Sequence, residues 1–189
     1  MESRDVDIGK LSQGNVSEMK AFTLQYYSLF FDFAFKYIGN EFVSEDVTQE
    51  SFVSFWENRA NFRDIHSVKA YLYKLIKNKS LNYLRHLKVK ENHQTGIEEH
   101  IEQVRRERNF VESIIKNESE YYVRRAILEL SQMGQKVITL SMQGLSNEEI
   151  ADELKISITT VKTHKQRTYQ TLRKKLSFLR LFQFFITSF

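Results

Sequence analysis

Proline is absent from this chain, and glycine occurs six times in 189 residues. Because these are the residues that break regular backbone, their scarcity favours long helices with short connections and gives little support to a sheet. Residues 144–175, GLSNEEIADELKISITTVKTHKQRTYQTLRKK, show the pattern most clearly. Ser146 followed by Glu149 has the spacing of a capping box, and Gly144 suits the end of a preceding helix. Ile150, Ala151 and Leu154 then recur at helical spacing, with the small Ala151 where a second helix could approach closely. Lys155, Ile156 and Ser157 form a turn, and Ser157 is the expected N-cap of the next helix.

From Ile158 onward, Ile158, Val161, Tyr169, Leu172 and Leu176 project to one side of that helix. Thr160, Thr163, Arg167, Gln170 and Lys174 project to the other, where they offer donors to phosphates and base edges. Two readings are open at this point: a helix-turn-helix that enters a DNA groove, or an ordinary amphipathic hairpin with a solvated basic face.

Charge distribution bears on the choice. Lys and Arg number 28 against 24 acids, only a mild excess, yet residues 65–90 hold seven cations and no acid, and residues 154–189 hold eight and no acid. The acids concentrate in 41–64 and 91–120. Two separated basic stretches suit a protein that touches a polyanion in two places. Without cysteine, disulfides and thiolate metal sites are excluded. His66, His86, His93, His100 and His164 have no ligand spacing, so neither a metal nor another cofactor is expected. The start, MESRDVDIGK, has no apolar stretch of the signal-peptide kind, which points to a cytoplasmic protein.

In chain order, residues up to about Val16 carry little signal beyond a short first helix or arm. Residues 19–38 are dense in aromatics, with Phe22, Tyr26, Phe30, Phe33 and Tyr37 at three- and four-residue intervals. Core packing is the reading adopted, against an aromatic surface for single strands. Ser44 is expected to open the next helix, SEDVTQESFVSFWENR. Thr48, Phe52, Phe55 and Trp56 cluster on one side of it, and Asp46, Glu50, Val53 and Glu57 run along the other. That acidic stripe is either a solvated face or a docking surface for a basic helix. Residues 58–67 break the period and read as a loop offering Phe62, Arg63 and His66. The helix after it would bury Val68, Leu72, Leu75, Ile76 and Tyr83. Tyr71, Lys74, Asn78, Asn82 and Arg85 lie opposite, a ring to stack on a base, cations for phosphates and amides for base edges. Residues 89–109 are polar and charged, a linker signature. From Phe110 the apolar pattern resumes, with helices expected over 122–130 and 136–142.

SEDVTQESFVSFWENR with VKAYLYKLIKNKSLNYLRH resembles region two of bacterial sigma factors of the extracytoplasmic-function class, in the sigma-70 family. AILELSQMGQKVITLSMQGLSNEEIADELKISITTVKTHKQRTYQTLRKKL resembles their region four. The resemblance implies an all-α fold of two small helical domains, a region 2 helical bundle and a region 4 helix-turn-helix, joined by a charged linker. It divides the chain into an N-terminal arm (1–20), region 2 (21–90), the linker (91–118), region 4 (119–177) and an apolar tail (178–189).

The implied function is to bind core RNA polymerase, direct it to promoter DNA and help open the duplex, with no bond chemistry of its own. By the same resemblance, Asp46, Gln49, Glu50 and Val53 would dock on polymerase. Asn61, Phe62, Arg63, His66, Ser67, Tyr71, Lys74, Asn78 and Arg85 would capture the opened −10 strand, with a flipped base held by the loop at 61–67 beside Asn78. Thr160, Lys162, Thr163, Gln166 and Arg167 would read the −35 duplex. An anti-sigma factor is an expected partner, and the chain would be a monomer when free or 1:1 with its partner. The competing reading is a LuxR-type regulator acting without polymerase; a nucleic-acid enzyme is disfavoured because no nucleophile–base pair or carboxylate cluster occurs in the basic segments.

Three features depart from the family pattern. Residues 130–131 lack the usual proline. Lys165 falls on the buried side, where its stem would cover the core with the amine at the rim. The tail, SFLRLFQFFITSF, is too short and too interrupted by Arg180 to span a bilayer; it covers an apolar patch or binds an inhibitor.

Overall fold

The computed structural model describes residues 6–90 and 110–177, and these are helical, with no strand among them. The elements are α1 (Ile8–Ser12), α2 (Val16–Ile38), α3 (Glu41–Glu57), a 3-10 turn (Arg59–Asn61), α4 (Ile65–Lys90), α5 (Phe110–Leu128), α6 (Gln132–Met142), α7 (Asn147–Leu154) and α8 (Ile158–Lys175). The chain divides into two compact units, Met1–Asn117 and Glu118–Phe189. Most of the expected linker, all of the tail at 178–189 and the first five residues of the arm lie outside the described residues.

In the first unit α2, α3 and α4 pack on one another, and α1 packs on α2 and the 3-10 turn through Leu11 and Ile8. The aromatic run of α2 is core: Phe22, Tyr26, Phe30, Phe33 and Tyr37 are all buried. Phe22 meets Phe55 of α3 at 5.2 Å between ring centroids. Tyr73 of α4 sits 4.9 Å from Phe30 and 4.7 Å from Phe33. Ring pairs of this kind add about 0.5–1.5 kcal/mol each beyond the area they bury.

Three sequence expectations are corrected here. Ser44 does not open α3. Gly39, in the left-handed conformation at φ 70°, ends α2, and the Asn40 side chain accepts from the Val43 N–H to start α3. Ser44 is buried, and its hydroxyl donates 2.6 Å to the Asn40 carbonyl. The expected loop at 58–67 is shorter, because Asn58 is followed by the 3-10 turn and α4 begins at Ile65. There Asp64 accepts from the Ser67 N–H at 2.8 Å, the geometry of an N-cap. The buried face of α4 is also wider than expected, since Tyr73, Ser80 and Leu84 are buried while Leu75 and Tyr83 are only half-buried. Contact with two helices at once accounts for that breadth.

In the second unit α6, α7 and α8 enclose Val137, Ile150, Ala151 and Val161, with Met133, Leu140, Leu145, Leu154 and Ile156 around them. The segment without proline is held differently. Ser131 caps α6, and the Gln135 amide donates 2.9 Å to each of the Leu128 and Leu130 carbonyls. Those bonds satisfy acceptors left over at the end of α5.

Candidate nucleic-acid interface

The outward face of α3 carries Asp46, Gln49, Glu50 and Val53, all exposed, Val53 at 57%. What lies beneath is partly polar, yet satisfied within the helix: Thr48 donates to the Ser44 carbonyl at 2.6 Å and Ser51 to the Val47 carbonyl at 2.7 Å. These small hydroxyl residues need no partner from another helix. Phe52 and Phe55 complete the buried side. Trp56 is half-buried and stacks under the Arg59 guanidinium at 4.3 Å, which fixes the start of the 3-10 turn. Glu50 accepts from Lys79 of α4 at 2.6 Å.

The expected loop residues divide into exposed and anchored groups. Asn61, Arg63 and His66 are exposed. Phe62 is half-buried in a ladder of rings, 5.5 Å from Phe55 on the core side and 5.0 Å from Tyr71 on the outer side. His66 and Ser67 stand in the first turn of α4 rather than in a loop. The Ser67 hydroxyl donates to the Asp64 carbonyl at 2.8 Å, and Asp64 itself is held below its ordinary pKa, first by the Ser67 N–H. The one acid inside the loop is thereby engaged as a helix cap.

Along α4, Lys74, Asn78, Asn82 and Arg85 are exposed and Tyr71 is half-buried against Phe62. Arg85 donates to the Asn82 amide oxygen at 2.7 Å, which orients its guanidinium along the face. The acid-free run is not uniformly available to phosphate. Lys69 lies 4.8 Å over the Tyr26 ring, Lys77 4.4 Å over the Phe110 ring, and Lys79 pairs with Glu50. Among the cations whose side chains are described, Lys74 and Arg85 therefore form the outward pair.

The hairpin of α7 and α8 follows the sequence closely at its ends. The capping box of Ser146 and Glu149 is formed in both directions, Lys155 makes the turn in the left-handed conformation at φ 54°, and the Ser157 side chain caps α8 through the Thr160 N–H. The Ser146 N–H holds the Glu149 carboxyl below its ordinary pKa. Lys162, Thr163, Gln166 and Arg167 are exposed, and Thr160, half-buried, shares a 2.8 Å hydrogen bond with the Ser157 hydroxyl.

The rotation of α8 needs correction. Ile158 and Tyr169 are exposed, at 39% and 52%, whereas Thr168 is buried. Its hydroxyl stands 3.1 Å from where a Cβ on Gly134 would be, so glycine permits the close approach of α6 and α8. Measured from the midpoint of the buried Val161 and Thr168, residues 162, 163, 166 and 167 lie on the outer half of the helix at about 100° per residue, and Thr160 falls at its edge. Lys165 is half-buried with its amine 3.1 Å from the Asn147 side-chain oxygen, the arrangement of stem over core and amine at rim.

Two further residues join these surfaces. Phe42, in the first turn of α3, is 80% exposed, and Lys79 reaches the acidic stripe. A helix starting at Ser44 would exclude Phe42; the adjacent pair Gly39 and Asn40, a helix stop followed by an N-cap, is the signal that locates the true start. Among the described residues no group of three or more His, Cys, Asp or Glu is placed to hold a metal ion, and no helix is long and apolar enough to cross a membrane.

Comparisons with known proteins fall on the same two units. Residues 22–89 match the family model described as Sigma-70 region 2. Residues 128–175 match that of the bacterial regulatory proteins of the luxR family. The RNA polymerase sigma factor YlaC of Bacillus subtilis (strain 168) is 26% identical over 156 residues, which are 81% of this chain and 88% of that protein. Among solved structures, the RsbN-BldN complex is matched at 19% identity and a TM-score of 0.36, over 88% of this chain and 97% of the other. CnrH in complex with the cytosolic domain of CnrY is matched at 19% identity and the same TM-score, over 92% and 98%.

Proposed function

We infer the roles of individual residues from one premise: this chain belongs to the sigma-70 family of RNA polymerase sigma factors, in the extracytoplasmic-function class. It binds core polymerase, directs it to promoters and assists their opening. In our reading Asp46, Gln49, Glu50 and Val53 dock on a basic helical element of polymerase. Asn61, Phe62, Arg63, His66, Ser67, Tyr71, Lys74, Asn78 and Arg85 engage the opened −10 strand. Thr160, Lys162, Thr163, Gln166 and Arg167 contact the −35 duplex.

The observation that carries this assignment is the segregation of charge on the first unit. The exposed stripe of α3 is acidic, while the outward face of α4 presents Tyr71, Lys74, Asn78 and Arg85 without an acid. A cationic face with a ring and amides suits an unpaired strand, and an acidic stripe suits a basic protein helix. Phe62 of the loop and Tyr71 of α4 already meet ring to ring at 5.0 Å, so that an unstacked base meets a preformed surface rather than one that must be ordered on binding. The protein performs no bond chemistry and acts in the cytoplasm, as a monomer when free or 1:1 with polymerase or an anti-sigma factor. Division into domains at 21–90 and 119–177 belongs to the same proposal.

The luxR-family match of residues 128–175 favours a second reading, a regulator that binds duplex without polymerase. Size-exclusion chromatography of the purified chain mixed with core polymerase separates the two. Co-elution as a 1:1 complex supports the sigma assignment; elution apart, with a specific footprint on duplex by the chain alone, supports the regulator.

A further inference from the structure

The docking helix begins earlier than its sequence suggests, and the added turn changes what the face presents. Phe42 is 80% exposed and Val53 57% exposed, and both lie within α3. Between them stand Asp46 and Gln49, both exposed, so that residues 42, 46, 49 and 53 follow one another at steps of four, three and four. That spacing forms a straight seam on a helix, the kind a second helix reads along its length. A lone exposed apolar residue needs no explanation. Two at the ends of one seam, flanked by the exposed acids Glu45, Glu50 and Glu57, form a pattern with a specific complement.

We propose that Phe42 is the apolar anchor of the polymerase-docking face. The partner is a helix of core polymerase with apolar side chains at two points about 16 Å apart, eleven residues at about 1.5 Å each, and basic residues between and beside them. The acids steer and orient that helix, and the Phe42 ring, buried on docking, supplies affinity that charge at an exposed rim does not. The inference rests on the reading of α3 as the polymerase-binding helix, and it adds a residue and a length to that reading. A helix starting at Ser44 would leave the seam with a single apolar end.

The test measures equilibrium binding of the full-length chain to core polymerase for wild type, Phe42→Ser, Phe42→Leu and Asp46→Lys, with thermal melting of each variant as the folding control. Phe42→Ser is expected to bind about tenfold or more weakly, with Phe42→Leu within about threefold of wild type and melting unchanged for both. If Phe42→Ser binds within about twofold of wild type, or Phe42→Leu is as weak as Phe42→Ser, Phe42 is not the anchor. Should Asp46→Lys still bind weakly in that case, the docking face stands without Phe42. Wild-type affinity in both Phe42→Ser and Asp46→Lys removes the docking face itself, and the anchor with it.

Discussion

The amine of Lys79 on α4 lies 2.6 Å from a carboxylate oxygen of Glu50 on α3. One ion pair therefore joins the acidic stripe to the basic run that follows it. Glu50 is exposed and Lys79 half-buried, so solvent reaches and screens the pair. Lys79→Ala is expected to lower unfolding free energy by less than about 1 kcal/mol in a urea titration. A larger loss would show that the pair holds α3 against α4 and is not an incidental surface contact.

The two units are expected to fail separately. Asp46→Lys reverses charge on the α3 stripe and should weaken polymerase binding several-fold without altering contacts to the −35 duplex. Arg167→Ala should leave polymerase affinity unchanged and cost about 1–3 kcal/mol in binding of the assembled polymerase to promoters at the upstream element. Affinity for polymerase and affinity for promoter, measured on both variants, check the separation; loss of polymerase binding in both would contradict it.

Close approach of α6 to α8 makes Gly134 a sensitive position. A Cβ there would lie 3.1 Å from the Thr168 and the Ser131 hydroxyl oxygens. Gly134→Leu is expected to destabilise the second unit by about 1–3 kcal/mol, seen as earlier thermal unfolding.

Acid should loosen the start of α7. The folded pKa of Glu149 lies below its ordinary value of 4.5, held there by the Ser146 N–H. Its contribution is therefore complete above the unfolded pKa and is lost as pH falls through the lower, folded one. Glu149→Gln keeps an acceptor for that N–H but does not titrate. The variant should show a shallower fall in stability below pH 4.5 than wild type, measured by denaturant titration at several acid pH values.

How much was legible in the sequence depends on how local each cause is. The caps of α7 and α8 were legible because Ser146, Glu149 and Ser157 act on backbone within three residues. The aromatic core of α2 was legible because its rings are dense and lie on every side of the helix, which favours burial over an exposed stacking surface. The rotation of α8 was not, because hydrophobicity gives Ile158 and Tyr169 to the core, while tertiary packing gives that place to Thr168, whose small side chain fits beside Gly134. Of the residues proposed to contact the −35 duplex, Lys162, Thr163, Gln166 and Arg167 are exposed with the helix so rotated, and Thr160 is half-buried. For the start of α3, Ser44 and Asn40 both suit a cap, and only the αL turn at Gly39 decides between them. The Lys79–Glu50 pair, 29 residues apart, has no sequence signature.

Transcription reconstituted from purified parts tests the central claim most directly. Core polymerase with this chain is expected to initiate at specific promoter sites, open the DNA around the −10 element as read by permanganate reactivity, and do neither without the chain. No specific initiation with the chain present, together with a tight and specific footprint by the chain alone on closed duplex, would contradict the account.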